Sequence, residues 1–306
     1  MSARAASRGA SQGASGRAAA FDAAAPWAFV LLWSTGWIVA RYSAAYADPL
    51  TFLAVRFAGA LAAMGAIALA TRAAWPRRPA AIGHALLSGA LIHATYLGGV
   101  WTAVRHGLPA SISALLAATQ PLATAALAPR LLGERMGGRA KAGVALGFAG
   151  LLAVLWPQLS RLGAGELRGA LGAVAINLAG MAAVTAGAFH QKRYLASGDL
   201  RAIATLQYVG ALAVMAPAAA LLEPMRIEWN ATMVAVLAWS VLALSVGAIA
   251  LMLLLIRHGA VTRQAQLIFL VPPTAALQAW LLFGERLTPL QVAGMAATAG
   301  GVALAT

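Results

Sequence analysis

From residue 26 onward, apolar runs of about 20 residues follow one another, with gaps too short for a soluble domain. That succession constrains the fold more than any other feature. Only 10% of the side chains are charged and 61% are hydrophobic, too little charge to cover a water-facing surface. A soluble enzyme, a coiled coil and a disordered chain are excluded. An all-α integral membrane protein remains. No cysteine is present, which removes disulfides, thiolate metal sites and Cys nucleophiles.

Reading the runs by their charged and turn-forming boundaries predicts ten spans. The first five cover 26–41, 50–71, 81–104, 109–129 and 141–157; the second five cover 167–190, 201–222, 231–256, 261–283 and 289–305. Residues 1–25 are rich in Ala, Ser, Gly and Arg and lack the apolar core of a secretory signal. Their makeup resembles a transit peptide, but we read a disordered cytoplasmic tail.

The net charge of +14 does not indicate nucleic acid, because the basic residues stand at span ends rather than on one face. Of the 22 Lys and Arg residues, fifteen fall on the side of the N-terminus, six on the other, and Arg56 lies within a span. Basic residues collect on the cytoplasmic side, so both termini are expected there.

The two halves align without gaps at an offset of 151 residues, as from Phe57 to Tyr208. Phe57-Ala-Gly-Ala-Leu-Ala-Ala-Met64 matches Tyr208-Val-Gly-Ala-Leu-Ala-Val-Met215, and Gly133-Glu134-Arg135 matches Gly284-Glu285-Arg286. Pro121, Gly143 and Gly150 match Pro272, Gly294 and Gly301. The expected domains are the tail (1–25), a first five-helix repeat (26–160) and a second (165–305). Five spans is an odd number, so the second copy must thread the membrane in the opposite sense. Inverted repeats of this kind are the architecture of many secondary transporters.

Trp33-Ser34-Thr35-Gly36 with Ala40-Arg41, and Phe52-Leu53-Ala54-Val55-Arg56-Phe57, resemble the first- and second-helix patterns of EamA-type permeases of the drug/metabolite transporter superfamily. Gly107-Leu-Pro-Ala-Ser-Ile-Ser-Ala-Leu-Leu, Gln120-Pro121 and Leu132-Gly133-Glu134-Arg135 resemble the fourth-helix block, with a counterpart from Val271-Pro272-Pro273 through Phe283-Gly284-Glu285-Arg286 to Gly294. The resemblance covers about residues 27–305. It implies ten helices, an inner-membrane location and transport of small organic metabolites, usually outward. It does not fix the substrate.

A charge within the bilayer is costly, so an embedded ionisable group marks function by default. All eight acidic residues lie in the tail, in loops or at span ends. Arg56, several residues into the second span, is therefore conspicuous; its counterpart is Gln207. Either it recognises a substrate carboxylate, or it snorkels outward or caps neighbouring carbonyls. His93, Tyr96, Leu97, Val100 and Trp101 share one helical face. That face either lines a substrate cavity or packs against another helix. Trp33 is a candidate lining residue, while Trp37 and Arg41 suit an interfacial belt.

Pro121 and Pro272-Pro273 fall at matching mid-span positions, where proline frees the carbonyl four residues earlier. Kinks are expected there, acting as gates, with Gln120 or Gln266 as a possible ligand contact. Asn177 and Thr185 share a face of the sixth span and suit substrate contact or helix–helix bonding equally. His190 is read as interfacial. The two Gly-Glu-Arg turns are read as helix stops and caps, and Gly143-Val-Ala-Leu-Gly147 as a packing face within the chain.

No HExxH and no carboxylate dyad is present, so catalysis is not expected, nor a cofactor or metal. The expected partners are a small-molecule substrate and the lipid bilayer; nucleic acid is not expected, and no oligomer is required. The alternative is a lipid-scrambling or structural membrane protein. A sealed apolar interior without polar groups would favour it.

Overall fold

A computed structural model describes residues 24–36, 38–40, 42–106, 108, 113, 116, 120, 127, 137–160, 163, 165, 171–248, 251, 255, 267, 270–283 and 287–305. These residues are almost wholly helical. Nine helices are seen: α1 (24–36, with 38–40 and 42–44), α2 (Pro49–Ala70), α3 (Pro79–Arg105), α4 (Gly138–Leu159), α5 (Leu171–Tyr194), α6 (Leu200–Leu222), α7 (Ala231–Ala248), α8 (Val271–Phe283) and α9 (Pro289–Ala305). Five of them, α2, α3, α5, α6 and α7, are long and apolar enough to cross a membrane. Most of the predicted fourth span (109–129) and the tail (1–23) lie outside the described residues, as do Pro121, Gln266, Trp37, Arg41 and both Gly-Glu-Arg turns.

Local chemistry sets the helix ends. Asp48 precedes α2, with Pro49 in its first turn, where a missing N–H breaks no bond. Asp199 caps α6 by accepting from Arg201 N, and Asn230 caps α7 by accepting from Met233 N. Just past α2 and α6, Arg72 (φ 51°) and Met225 (φ 58°) turn into the left-handed region, which no α-helix can continue through. α5 runs beyond its apolar stretch because Lys192 and Arg193 occupy its last turn, where cations are favoured by the helix dipole.

The helices pack in pairs that obey the sequence repeat. α2 lies against α6, α4 against α9, and α3 against both α5 and α6, while α7 lies against α2. Shifting by the repeat offset turns α2–α6 and α4–α9 into themselves and α3–α6 into α7–α2. Equivalent helices run antiparallel. Near one end Leu50 N meets Glu223, and further along α2 Phe57 meets Tyr208 and Gly65 meets Thr205. In α4–α9, a Cβ on Gly301 would lie 2.7 Å from Gly143 O, and one on Gly294 would lie 2.6 Å from Gly150 O. Only glycine permits that approach, so the Gly143–Gly147 stripe packs within the chain.

Polar clamps hold α2 and α6 together at both ends. At the first, Glu223 accepts from Leu50 N (2.9 Å), Thr51 N (2.8 Å) and Thr51 Oγ1 (2.9 Å). Asp48 accepts from Arg226 N (3.0 Å) and pairs with Arg105 Nη1 (2.7 Å) at the end of α3. At the second end, Asp199 accepts from Ala74 N (3.0 Å), and Arg201 Nη1 donates to Thr71 O (3.2 Å). Asp48 and Asp199 are repeat equivalents. Burial pushes the Asp48 carboxyl up, but the bonds from Arg226 N and Arg105 pull it below its usual value. The Arg201 side chain holds Asp199 well below the carboxylate range against some desolvation.

α3 and α7 each contain a wide turn with π-type bonding, Ala90–Thr95 and Ser240–Ala248. By the repeat offset they are equivalent. Each carries one extra residue per turn, which rotates the side chains that follow, and such turns recur at functional sites.

Candidate functional site

The two wide turns face the α2–α6 pair from different helices and place their residues around Arg56. That side chain is 7% exposed. It is buried rather than snorkelling outward, and among the described residues it caps no carbonyl: its Nε donates to Ser245 Oγ at 2.9 Å, in the wide turn of α7. The carbonyl of the same residue accepts from Tyr208 OH at 2.6 Å. Ser245 thus ties α2, α6 and α7 together. An Arg at the centre of a membrane helix is unfavourable by about 2.5–3.5 kcal/mol on insertion scales, and no ion pair among the described residues involves Arg56.

His93, in the wide turn of α3, is buried beside this group. It stacks on Tyr208 (centroids 4.9 Å, planes 15° apart), and Phe57 approaches both rings at 6.2 Å. Tyr96 packs, partly buried, against the same core cluster. His93 Nε2 and Trp101 Nε1 are buried without a hydrogen-bond partner. Buried polar atoms normally find one, so each marks a place where a ligand or water would be bound. The predicted face on α3 therefore carries two buried ring nitrogens without a partner. The group around Arg56 is assembled from both repeats rather than from α3 alone.

The other predicted residues fall as follows. Trp33 is partly buried against the core, its ring 5.1 Å from Phe29. Gln120 is buried. Asn177 is fully buried, donating to Ser113 Oγ at 2.6 Å and leaving its Oδ1 unpartnered. Thr185 bonds its own helix at Met181 O. Pro272 and Pro273 stand in the first turn of α8, where their missing N–H groups break no bond of that helix; the residues whose carbonyls they were expected to free lie outside the described residues. His190 Nε2 lies 3.2 Å from His84 Nδ1, and the stacked His84–Tyr194 rings are beside it.

Sequence reasoning missed Ser245, Tyr208, Ser88, Gln191 and His84 as site residues. Tyr208 could have been found, since it is the repeat equivalent of Phe57 and follows Gln207, the equivalent of Arg56. Gln207 is buried and donates to Gln191 Oε1 (2.9 Å) and Ser88 Oγ (3.1 Å).

The model of the EamA-like transporter family matches this sequence twice, over residues 25–156 and 170–306. The chain belongs to that family. A comparison with curated proteins gave no match. One protein of known crystal structure shares the fold, with a TM-score of 0.76 and 20% identity, over 92% of this chain and 96% of that one. This EamA-like transporter is accordingly a multi-pass membrane protein. Its two family units are the two copies that pair their equivalent helices antiparallel. The wide turns and the Arg56 group lie where those units meet.

Proposed function

We propose that this protein is a secondary transporter of the bacterial inner membrane that exports small amphipathic metabolites, such as amino acids. It has ten helices in two inverted five-helix repeats (26–160 and 165–305), with both termini cytoplasmic. It works by alternating access around a central chamber lined by Trp33, Arg56, His93, Tyr96, Trp101, Gln120, Asn177 and Gln266. Pro121, Pro272 and Pro273 shape its gating helices. The observation that carries this reading is the buried polar group between repeats: a charged Arg56 and unpartnered ring nitrogens on His93 and Trp101. Imidazole and indole rings stack on apolar groups and hydrogen-bond polar ones. A lipid-scrambling or structural protein would have no use for such a group in its interior.

The test is counterflow in proteoliposomes without ATP, over an amino-acid panel. At least one amino acid should exchange. His93→Ala and Trp101→Ala should each slow that exchange by about tenfold, equivalent to ~1.4 kcal/mol, at unchanged expression. Rates equal to wild type would remove that face from the site, and a silent panel would sink the amino-acid assignment.

A further inference from the structure

We propose that the solute carries a carboxylate, and that this group docks on the free edge of the Arg56 guanidinium. This rests on the transporter reading above and narrows it to carboxylate-bearing solutes.

A guanidinium carries five N–H donors in a rigid plane. Ser245 takes the Nε donor, and the Nη edge is left without a charged partner among the described residues. That edge has the two-pronged geometry that suits a carboxylate. The bond to Ser245, itself tied by Tyr208, fixes the plane, so the fork stands ready before a ligand arrives.

Among the described residues none offers a counter-charge here. Of the chain's acidic residues, Asp48 is engaged by Arg105 and Arg226 N, Glu223 by the first turn of α2, and Asp199 by Arg201 and Ala74 N. Glu228 lies beyond the end of α6, and the other four stand in the tail or at predicted span ends. The side chains around Arg56 are neutral hydroxyls and rings. A ligand ammonium would meet no carboxylate there, while a ligand carboxylate would meet a desolvated cation.

The second copy supplies an independent argument. At the equivalent position the second copy carries Gln207, an uncharged amide whose Nε2 donates to Ser88 and Gln191 and whose Oε1 is buried without a partner. Packing at this point of the helix pair does not need a charge. The charge at Arg56 therefore answers to something other than the fold, and a bound anion is what it fits.

Three probes with one aromatic body separate the cases: indole-3-acetate (anionic), indole-3-acetamide (neutral) and tryptamine (cationic). Binding is read from the thermal unfolding of detergent-purified full-length protein, and movement from counterflow in proteoliposomes. The acid should bind at least about tenfold more tightly than the amide, as charge-assisted bonds imply, and the amine should not bind. Arg56→Gln, which copies the second repeat, should bring acid and amide to the same affinity. Arg56→Lys should keep part of the preference, having charge without the fork. Equal affinities in the wild type, no binding of the acid, or an acid preference surviving in Arg56→Gln would each overturn the assignment. A protein that moves the amide as fast as the acid loses the carboxylate assignment and remains a transporter. One that binds the acid and moves nothing keeps the carboxylate site and loses the transport reading.

Discussion

Arg56 and Gln207 occupy the same place in two copies of one backbone, and their surroundings differ. Each lies seven residues into its helix, at positions 49 to 56 and 200 to 207, about 10 Å from the end at 1.5 Å per residue. Because α2 and α6 are antiparallel, these are opposite ends of the pair. Around Gln207 the Nε2 amide is bonded twice, and Ser88 and Gln191 complete a neutral cluster. Around Arg56, among the described residues, one bond is made, no carboxylate pairs with the cation, and rings replace amides. The duplication preserved the packing of helices and let the chemistry of the two ends diverge. A carrier can then be symmetric in its motions and unsymmetric in what it holds at each side.

Making the two ends alike gives the largest expected effect. Gln207→Arg would bury a second cation among Ser88 and Gln191, with no carboxylate to meet it. The loss should approach the ~3 kcal/mol of an embedded Arg, seen as a lower unfolding temperature and poor membrane yield. Normal yield and stability would mean that the Gln207 end is open to water, and the contrast would fail.

Removing one hydroxyl at each end should give smaller and unequal effects. Ser245→Ala deletes a bond to a charged donor, worth about 1.5–3 kcal/mol, whereas Ser88→Ala deletes a neutral bond worth about 0.5–1.5 kcal/mol. Thermal unfolding of both variants checks the order. The reverse order would show that Arg56 is held by something other than Ser245.

The smallest effect concerns the clamps, where the two ends should behave alike. Asp48 and Asp199 both have carboxyls held below the ordinary range. Their contribution to stability is complete above the unfolded value of about 3.9. It is lost as pH falls through the folded values. Stability should thus be insensitive to these groups near neutrality and decline under acid. Asp48→Asn and Asp199→Asn should each flatten that decline in unfolding scans against pH. An unaltered acid limb would show that the carboxylates contribute only as hydrogen-bond acceptors.

Much of this was legible in the sequence because membrane insertion leaves a strong pattern. Apolar length set the spans, and the Phe57/Tyr208 and Gly143/Gly294 matches revealed the repeat before any helix was placed. Arg56 stood out because charge inside an apolar run is rare. What stayed hidden was the pairing. Ser245 is one serine among many until α7 is laid against α2, and His84 gains meaning only when α3 meets α5. The wide turns were also hidden, because π-type bonding has no residue signature comparable to proline or glycine. The helical-wheel face through His93 assumed a regular α-turn, whereas His93 sits within the wide turn and stacks on Tyr208 of α6.

The double clamp has a consequence for how the two copies of such a carrier hold together. α2 belongs to the first copy and α6 to the second, yet Asp48, Glu223, Asp199 and Arg201 rivet them top and bottom. The unit that these bonds hold together is then not a repeat. It is a hybrid made of one helix from each parent.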